Sequence, residues 1–476
     1  MNITGRDTQV KTMTRLQNLD KSYFVAVTGR RRVGKTFLID QVYQDRMCYR
    51  VTGIQDGSQE EQILNFIQKL AECSDIPIVT PPENWQQTFI LFKKYLQTLS
   101  KNKKHVIFID ELPWIATVRS GFIQMLAHLW NDYISKEKHF ILIICGSATS
   151  WINKKIINDK GGFHNRITHQ IQLKPFTLAE TKAFLLSKKI KLNDNAITEL
   201  YMVMGGIPYY LENIRKGESP TTAINRMCFS DTGILRYEYD NLYRAIYDNP
   251  SNHEAIVKAL STVRSGLTRA ELIKKSKVDA GGPYTRAMED LLLSGFVIEE
   301  APYGKKKRGA IYRLADEYSI FYHRFITAQK KTDEDVWQLI SQSQKYKIWS
   351  GYAFEALCYK HIANIKKALG ISKVYTETAS YRHISTKTNK GFQIDLLIDR
   401  KDKTINLCEC KFYDTDITIS ASYAKQLNQR KSLFRSSTKT KKSIFTTLIS
   451  NQPLHKNEHS LDAIDAYVGL GDLMGL

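Results

Sequence analysis

Residues 23–39, YFVAVTGRRRVGKTFLI, decide the fold. Residues 23–27 form a short apolar run rich in β-formers, suited to a buried strand. Residues 28–36 break that run, and from Phe37 the pattern resumes as helix. Gly29, Gly34, Lys35 and Thr36 fit G-x-x-x-x-G-K-[ST], a loop whose backbone N–H groups wrap phosphates at a helix N-terminus. On this reading Gly29, Arg30, Arg31, Arg32, Val33 and Gly34 supply the wrapping backbone, and the glycines allow a close approach that a side chain would block. Lys35 reaches the outer phosphates and the Thr36 hydroxyl ligates magnesium. A glycine turn with a surface lysine is the plain alternative, and the strand before and helix after argue against it.

A second stretch supports the first. Residues 101–104 are a solvated basic turn, and residues 105–111, HVIFIDE, are an apolar strand ending in two carboxylates. That end matches the Walker B pattern, in which Asp110 holds magnesium and Glu111 orients or deprotonates the attacking water.

The 476 residues suffice for about three domains. A hydrophobic fraction of 42% supports packed cores and argues against a disordered chain. The formal net charge of +21 favours a polyanionic partner, nucleic acid first and anionic membrane second, with plain solubility as the alternative. Seven scattered cysteines, odd in number, read as reduced core residues of a cytoplasmic protein, and Cys408-x-Cys410 has the wrong spacing for zinc. No run approaches the length of a membrane helix, so no membrane partner is expected.

Along the chain, residues 9–19, 59–73, 85–99 and 120–135 carry helical spacing, with a proline-rich loop at 76–83, and residues 140–147, FILIICGS, form a third buried strand. This alternation predicts an α/β fold with a parallel sheet covered on both faces. The order of the loop at 29–36, the strand ending at Asp110-Glu111 and the strand ending at Gly146-Ser147 resembles AAA+ or STAND-type P-loop ATPases. These include the uncharacterised DEXX-box ATPases common in archaea and anaerobic bacteria. The resemblance implies ATP with Mg2+ as cofactors, Ser147 as a sensor near the γ-phosphate, and Arg166 as a candidate sensor or finger. A trans-acting Arg166 would need a second subunit, so a homo-oligomer is allowed for. Ser147 as a strand-end cap and Arg166 as a solvated side chain remain the alternatives. Residues 175–250 read as a helical lid opened by a cap at Thr177 and Glu180. Within it Gly205-Gly206-Ile207-Pro208 resembles a lid motif whose proline, Pro208, packs against adenine, or is a helix-ending turn.

Residues 251–327 resemble a winged helix. Three helices, at 256–263, 268–275 and 283–293, precede strands at 296–298 and 311–314, with Thr268 and Glu271 as a capping pair. Tyr284, Thr285 and Arg286 would enter a DNA major groove, and the hairpin tip Lys305, Lys306, Lys307 and Arg308 would touch the backbone. Such modules also bind proteins. Residues 328–345 are polar and read as a linker.

Residues 346–476 hold a second chemical signal. Residues 393–398 and 405–411 are strand-like runs about a polar turn; a hairpin centred on Asp402 sets Asp395 opposite Glu409, with Lys411 on the face of Glu409. Facing carboxylates repel, and a bound cation would resolve that. This arrangement, after a helix carrying Glu355, resembles the PD-(D/E)xK nuclease (restriction-endonuclease-like) fold, without the proline before Asp395. The resemblance implies that Asp395 and Glu409 ligate magnesium, Glu355 completes the site, and Lys411 activates water. Gln426 is a further polar candidate, and ion-paired surface acids are the alternative. The expected division is 1–174 ATPase core, 175–250 lid, 251–327 winged helix, 328–345 linker and 346–476 nuclease-like domain. The expected function is an ATP-hydrolysing, DNA-binding protein with a magnesium-dependent nuclease-like domain. The alternative is a signalling switch whose C-terminal domain binds DNA or a partner without cleavage.

Overall fold

Among the described residues of the first part of the chain, five runs become strands: β1 Tyr23–Gly29, β2 Met47–Thr52, β3 His105–Asp110, β4 Phe140–Gly146 and β5 His169–Leu173. All pair in parallel, in the order β2-β3-β4-β1-β5. The computed structural model describes residues 3–74, 80–159, 161–304, 309–329, 336–383 and 391–475, and of Asp395 the backbone alone. The chain divides into two units, Met1–Pro175 and Phe176–Leu476.

β1, β3 and β4 are buried along their whole length, as expected of central parallel strands with both faces covered, and this explains their unbroken apolar sequence. β2 is an edge strand, and its sequence, MCYRVT, alternates instead. That alternation hid it from a search for apolar runs. The helix Gln59–Cys73 begins at a reciprocal cap between Ser58 and Glu61 and buries Ile63, Phe66, Ile67 and Leu70, one stripe at helical spacing. The stripe meets Trp85, Phe92 and Phe122 in the core; the Trp85 and Phe122 rings stand 4.6 Å apart. Because every strand runs the same way, the turns after β1, β3 and β4 emerge on one edge, where α/β sheets bind ligands.

The second unit opens with the helices Leu178–Ser187, Asp194–Met204, Pro208–Leu211, Pro220–Cys228 and Glu238–Leu242. Thr177 and Glu180 cap the first reciprocally. There follow the helix Ser251–Ser261, β6 Leu267–Thr268, the helices Arg269–Ser276 and Gly282–Leu293, β7 Val297–Glu300 and β8 Ile311–Leu314. These strands form an antiparallel sheet in the order β6-β8-β7.

The expected linker at 328–345 is corrected in part. Residues 330–335 lie outside the described residues, but Val336–Ser341 is a helix whose Trp337 is 2% exposed. Its indole stacks on Phe229 with centroids 5.6 Å apart and meets Phe321 edge-on at 5.0 Å. One large aromatic side chain outweighs a polar composition, since it alone buries about 150–250 Å².

The helix Gln344–Lys360 leads to a five-stranded sheet of β9 Thr376–His383, β10 Phe392–Arg400, β11 Thr404–Lys411, β13 Ser443–Ser450 and β15 Ala466–Val468; β12 Ile417–Thr418 and β14 Leu454–His455 pair separately. β9, β10 and β11 run antiparallel, and β11, β13 and β15 run parallel. Side chains alternate across β11. Cys410 meets Cys358 of the helix Gln344–Lys360, whereas Leu407 packs with Phe434 of the helix Ala421–Thr438, so the two helices cover opposite faces.

Candidate functional site

The turn after β1 is built on backbone conformations that few residues adopt. Gly29, Arg32 and Gly34 have φ of +146°, +69° and +86°. The two glycines serve different ends. A Cβ on Gly29 would stand 2.3 Å from the Leu173 carbonyl oxygen of β5, so this glycine makes room for a neighbouring strand. A Cβ on Gly34 would meet nothing within 4 Å, and there the left-handed φ is the reason. Val33 and Arg30 are buried, Arg31 and Arg32 half-buried. Arg6, itself buried, donates from Nη2 to the Val33 carbonyl at 3.1 Å. Sequence reading missed Arg6, because nothing local marks a residue 27 positions upstream as a prop for the loop.

Lys35 opens the following helix and is 6% exposed. A buried ammonium needs acceptors, and its Nζ finds the carbonyls of Gly29 and Arg30, each at 3.0 Å, and the Ser147 hydroxyl at 3.4 Å. Thr36 donates its hydroxyl to Asp110 Oδ2 at 2.7 Å, joining the loop to the end of β3. The other oxygen of Asp110 accepts the Glu111 N–H at 2.9 Å. Glu111 has φ +44°, a strained conformation that aims its carboxylate at the end of β4. There Ser147 donates its hydroxyl to Oε1 at 2.7 Å and its N–H to Oε2 at 3.0 Å. Lys35, Thr36, Asp110, Glu111 and Ser147 thus form one hydrogen-bonded cluster at the C-terminal edge of the sheet. Arg166 is exposed in a turn before β5. Pro208 begins the short helix Pro208–Leu211 in the second unit.

Tyr284, expected in a DNA groove, is only 1% exposed. The helix Gly282–Leu293 buries it with Ala287, Met288 and Leu291 at helical spacing, so the core claims the residue. Thr285 and Arg286 are exposed. Lys305, Lys306, Lys307 and Arg308 lie outside the described residues.

In the C-terminal sheet the register Leu396↔Cys408, Leu397↔Leu407, continued by one residue, sets Asp395 opposite Glu409. Glu409 is held from three directions: Lys411 Nζ and the Tyr423 hydroxyl each stand 2.8 Å from Oε1, and Arg430 Nη1 stands 2.8 Å from Oε2. Burial raises the Glu409 carboxyl, but the Lys411 and Arg430 charges carry it below its ordinary value. Burial, and then Glu409, push the Tyr423 hydroxyl up, so it keeps the proton it donates. Glu409 is therefore met by two cationic side chains, Lys411 and Arg430, and by the neutral Tyr423 hydroxyl, which lies seven residues from Arg430 on one helix face. Tyr423 and Arg430 were not foreseen; Gln426, which was, is exposed.

Glu355 does not join this group. It belongs to the helix covering the Cys410 face of the sheet and pairs with Arg264 through Nη2 at 2.6 Å, whereas Glu409 lies on the other face. Strand alternation, invisible until the covering helices are known, separates the two acids. Among the described residues no group of three His, Cys, Asp or Glu is placed to hold a metal, and no helix is long and apolar enough to cross a membrane.

Residues 4–214 match a family described as an ATPase domain predominantly from Archaea. The match runs past the first unit into the helices that open the second. Over 416 residues the chain is 22% identical to an uncharacterized protein, MJECL04, of Methanocaldococcus jannaschii, covering 86% of this chain and 87% of that protein. Similar solved structures include the Walker-type ATPase PABY2304 of Pyrococcus abyssi, at 16% identity and TM-score 0.48, covering 68% of this chain and 96% of that one. Another is the ORC2 protein of Aeropyrum pernix in ADPNP–ADP complexes, at 12% identity and TM-score 0.42, covering 72% and 96%. The chain thus carries, over residues 4–214, an ATPase domain of the predominantly archaeal type, and it is an ATPase.

Proposed function

We propose that the protein is a magnesium-dependent ATPase whose nucleotide cycle regulates DNA binding by its second unit. The observation that carries this reading is the cluster of Lys35, Thr36, Asp110, Glu111 and Ser147. Its donors fit a nucleotide with a divalent cation: a buried ammonium satisfied only by neighbouring oxygens, and a hydroxyl and a carboxylate 2.7 Å apart, both hard oxygen ligands. Lys35 exchanges its carbonyl partners for phosphate oxygens. Thr36 and Asp110 hold the cation, which when bound neutralises charge developing on the phosphates. Glu111, released by Ser147, orients the attacking water and accepts its proton. Arg166, exposed on its turn, is open to a second copy of the chain.

DNA binding by the second unit is supported by the helix and strand order of residues 251–314, by exposed Thr285 and Arg286, and by the net charge of +21. The C-terminal order of helix, three antiparallel strands, helix and parallel strand supports a nuclease-like fold. Binding without cleavage is nevertheless the better-supported use of that fold, because Glu409 is already neutralised and Glu355 lies across the sheet. The register that sets Asp395 opposite Glu409 favours cleavage as a second reading.

Nucleotide binding and turnover by the full chain test the first part. Lys35→Ala should lose ATP binding, and Glu111→Gln should bind ATP but not turn it over. ATP bound equally well by Lys35→Ala would refute the phosphate-loop assignment. Incubation with duplex, single-stranded and branched DNA, with and without magnesium and ATP, separates binding from cleavage. Magnesium-dependent cleavage that Asp395→Asn abolishes would favour the second reading.

A further inference from the structure

Because β3, β4 and β1 are neighbours in one parallel sheet, the turns that precede them emerge side by side at its N-terminal edge, opposite the edge that carries Lys35 and Glu111. These turns, residues 101–104, 136–139 and 20–22, read KNKK, KEKH and DKS, and they hold six lysines against two acids, Asp20 and Glu137. Hydrogen bonds lock the three together. The Ser22 hydroxyl donates to the Glu137 carbonyl at 2.7 Å and accepts the Phe140 N–H at 3.2 Å, and the His105 N–H donates to the His139 carbonyl at 2.7 Å. Lys104, half-buried, donates from Nζ to the Lys21 carbonyl at 2.7 Å and also to that of Lys138, and it stands 5.7 Å from the centroid of the Tyr23 ring. Lys138 pairs with Asp20 and Lys101 with Glu137, but no carboxylate among the described residues stands within ion-pair distance of Lys21, Lys103 or Lys104. Lys21 and Lys103 are exposed.

Neighbouring strands lie about 4.8 Å apart, so the three turns span about 10 Å, close to the Debye length at about 0.1 M salt. Lysines gathered on that scale repel one another with little screening. Solubility does not require such crowding, since charges of both signs interspersed serve it as well. A polyanion relieves the repulsion. Of the two kinds of polyanionic surface, a membrane is the poorer fit: the exposed large apolar side chains lie elsewhere in the chain, so these turns offer nothing to insert among lipids. A rigid strip of cations instead matches a fixed array of phosphates. We propose that the first unit carries its own contact surface for the phosphate backbone of duplex DNA at the N-terminal edge of its sheet, with Lys21 and Lys103 as phosphate-binding side chains and Lys104 as the positioning residue that ties the turns together. This surface is additional to DNA contact by the second unit and does not rest on it. Lying at the far end of the strands from the phosphate loop, it should contribute equally with and without ATP.

The test is titration of a fluorescently labelled mixed-sequence DNA duplex with the full chain across a range of salt concentrations. Lys21→Gln/Lys103→Gln removes two phosphate contacts, so the plot of log K against log salt should flatten by about two units, and affinity at about 0.1 M salt should fall about ten- to a hundredfold. Lys21→Arg/Lys103→Arg keeps both charges and should bind as the parent does. Both variants should turn over ATP like the parent without DNA, which checks that the fold is intact. In the parent, labelling with acetic anhydride read by mass spectrometry should find Lys21 and Lys103 protected by the duplex. Arg286→Ala reports separately on the second unit. A slope that the glutamine pair leaves unchanged, or lysines labelled equally with and without bound DNA, would overturn the proposal and leave the second unit as the DNA contact. Glutamine-sensitive binding to vesicles of phosphatidylserine and phosphatidylcholine, with no such effect on DNA, would overturn it in favour of a membrane surface. A parent that binds no DNA would overturn both the proposal and DNA binding by the second unit.

Discussion

Replacing Arg430 with methionine keeps an apolar stem but removes the cation that stands 2.8 Å from Glu409 Oε2. The cost follows from what remains. Oε1 keeps Lys411 and Tyr423, whereas Oε2 loses this charged donor in a site where the Glu409 side chain is 18% exposed. A hydrogen bond to a charged group contributes about 1.5–3 kcal/mol. Arg430 is 35% exposed, and solvent screening lowers that to about 1–3 kcal/mol. A two-unit chain has no single unfolding free energy, so the local measure is hydrogen exchange. Amides of β10 and β11 should exchange about 5- to 150-fold faster in the variant at about pH 7. The parent's Glu409 is held below its ordinary value despite burial, because Lys411 and Arg430 oppose burial. Its ionised form therefore contributes stability above the unfolded carboxylate range, and that stability is lost as pH falls through the folded value. The difference between variant and parent should accordingly shrink toward about pH 4. Unchanged exchange at neutral pH, or an effect that persists undiminished in acid, would refute the account.

Other expectations are more compact. Tyr284→Phe should leave local stability nearly unchanged, because the buried hydroxyl has no hydrogen-bond partner among the described residues, whereas Tyr284→Ala should cost about 3–5 kcal/mol, read as faster amide exchange in the helix Gly282–Leu293. Neither Tyr284 change should alter the salt slope of DNA binding in folded protein, while Arg286→Ala should flatten it. Ser147→Ala should reduce ATP turnover more than ATP affinity, since Glu111 loses its hydroxyl donor but keeps the backbone one; equal loss of both would place Ser147 in binding alone. His323, brought down to about 4 by burial first and the Lys258 charge second, stays neutral in the fold. Acidification from about pH 6.5 toward pH 4 should therefore weaken the packing around His323 by roughly 2–3 kcal/mol, and His323→Gln should remove that part of the pH dependence in amide exchange of the surrounding helices, corrected for intrinsic rates.

The parts of this molecule that could be read early are those whose cause is local. The phosphate loop announces itself because Gly34, Lys35 and Thr36 must be adjacent for a turn to become a helix there. β1, β3 and β4 are legible because central parallel strands need apolar side chains on both faces. The cap at Ser58 and Glu61 follows from a four-residue pattern. Residues whose roles depend on distant partners were misread or missed. Arg6 is tied to Val33 only once the first helix is docked. Tyr284 reads as a surface aromatic until the stripe of Ala287, Met288 and Leu291 shows which way its helix faces. Glu355 and Glu409 are both acids near strands, and only the packing of Cys358 against Cys410 shows that they occupy opposite faces.

The helix Val336–Ser341 bears on how the polypeptide can be cut. Trp337 sits between Phe229, more than a hundred residues upstream, and Phe321, and Trp349 is drawn into the same aromatic group through Phe321 and Phe325. A fragment beginning at residue 346 would carry Trp349 away from Phe321 and Phe325 and leave it facing water, while the remainder would lose the indole's neighbour Tyr346. Both pieces would present fresh apolar surface of the kind that drives association. A protease or an expression boundary aimed at the apparently polar segment would divide a core.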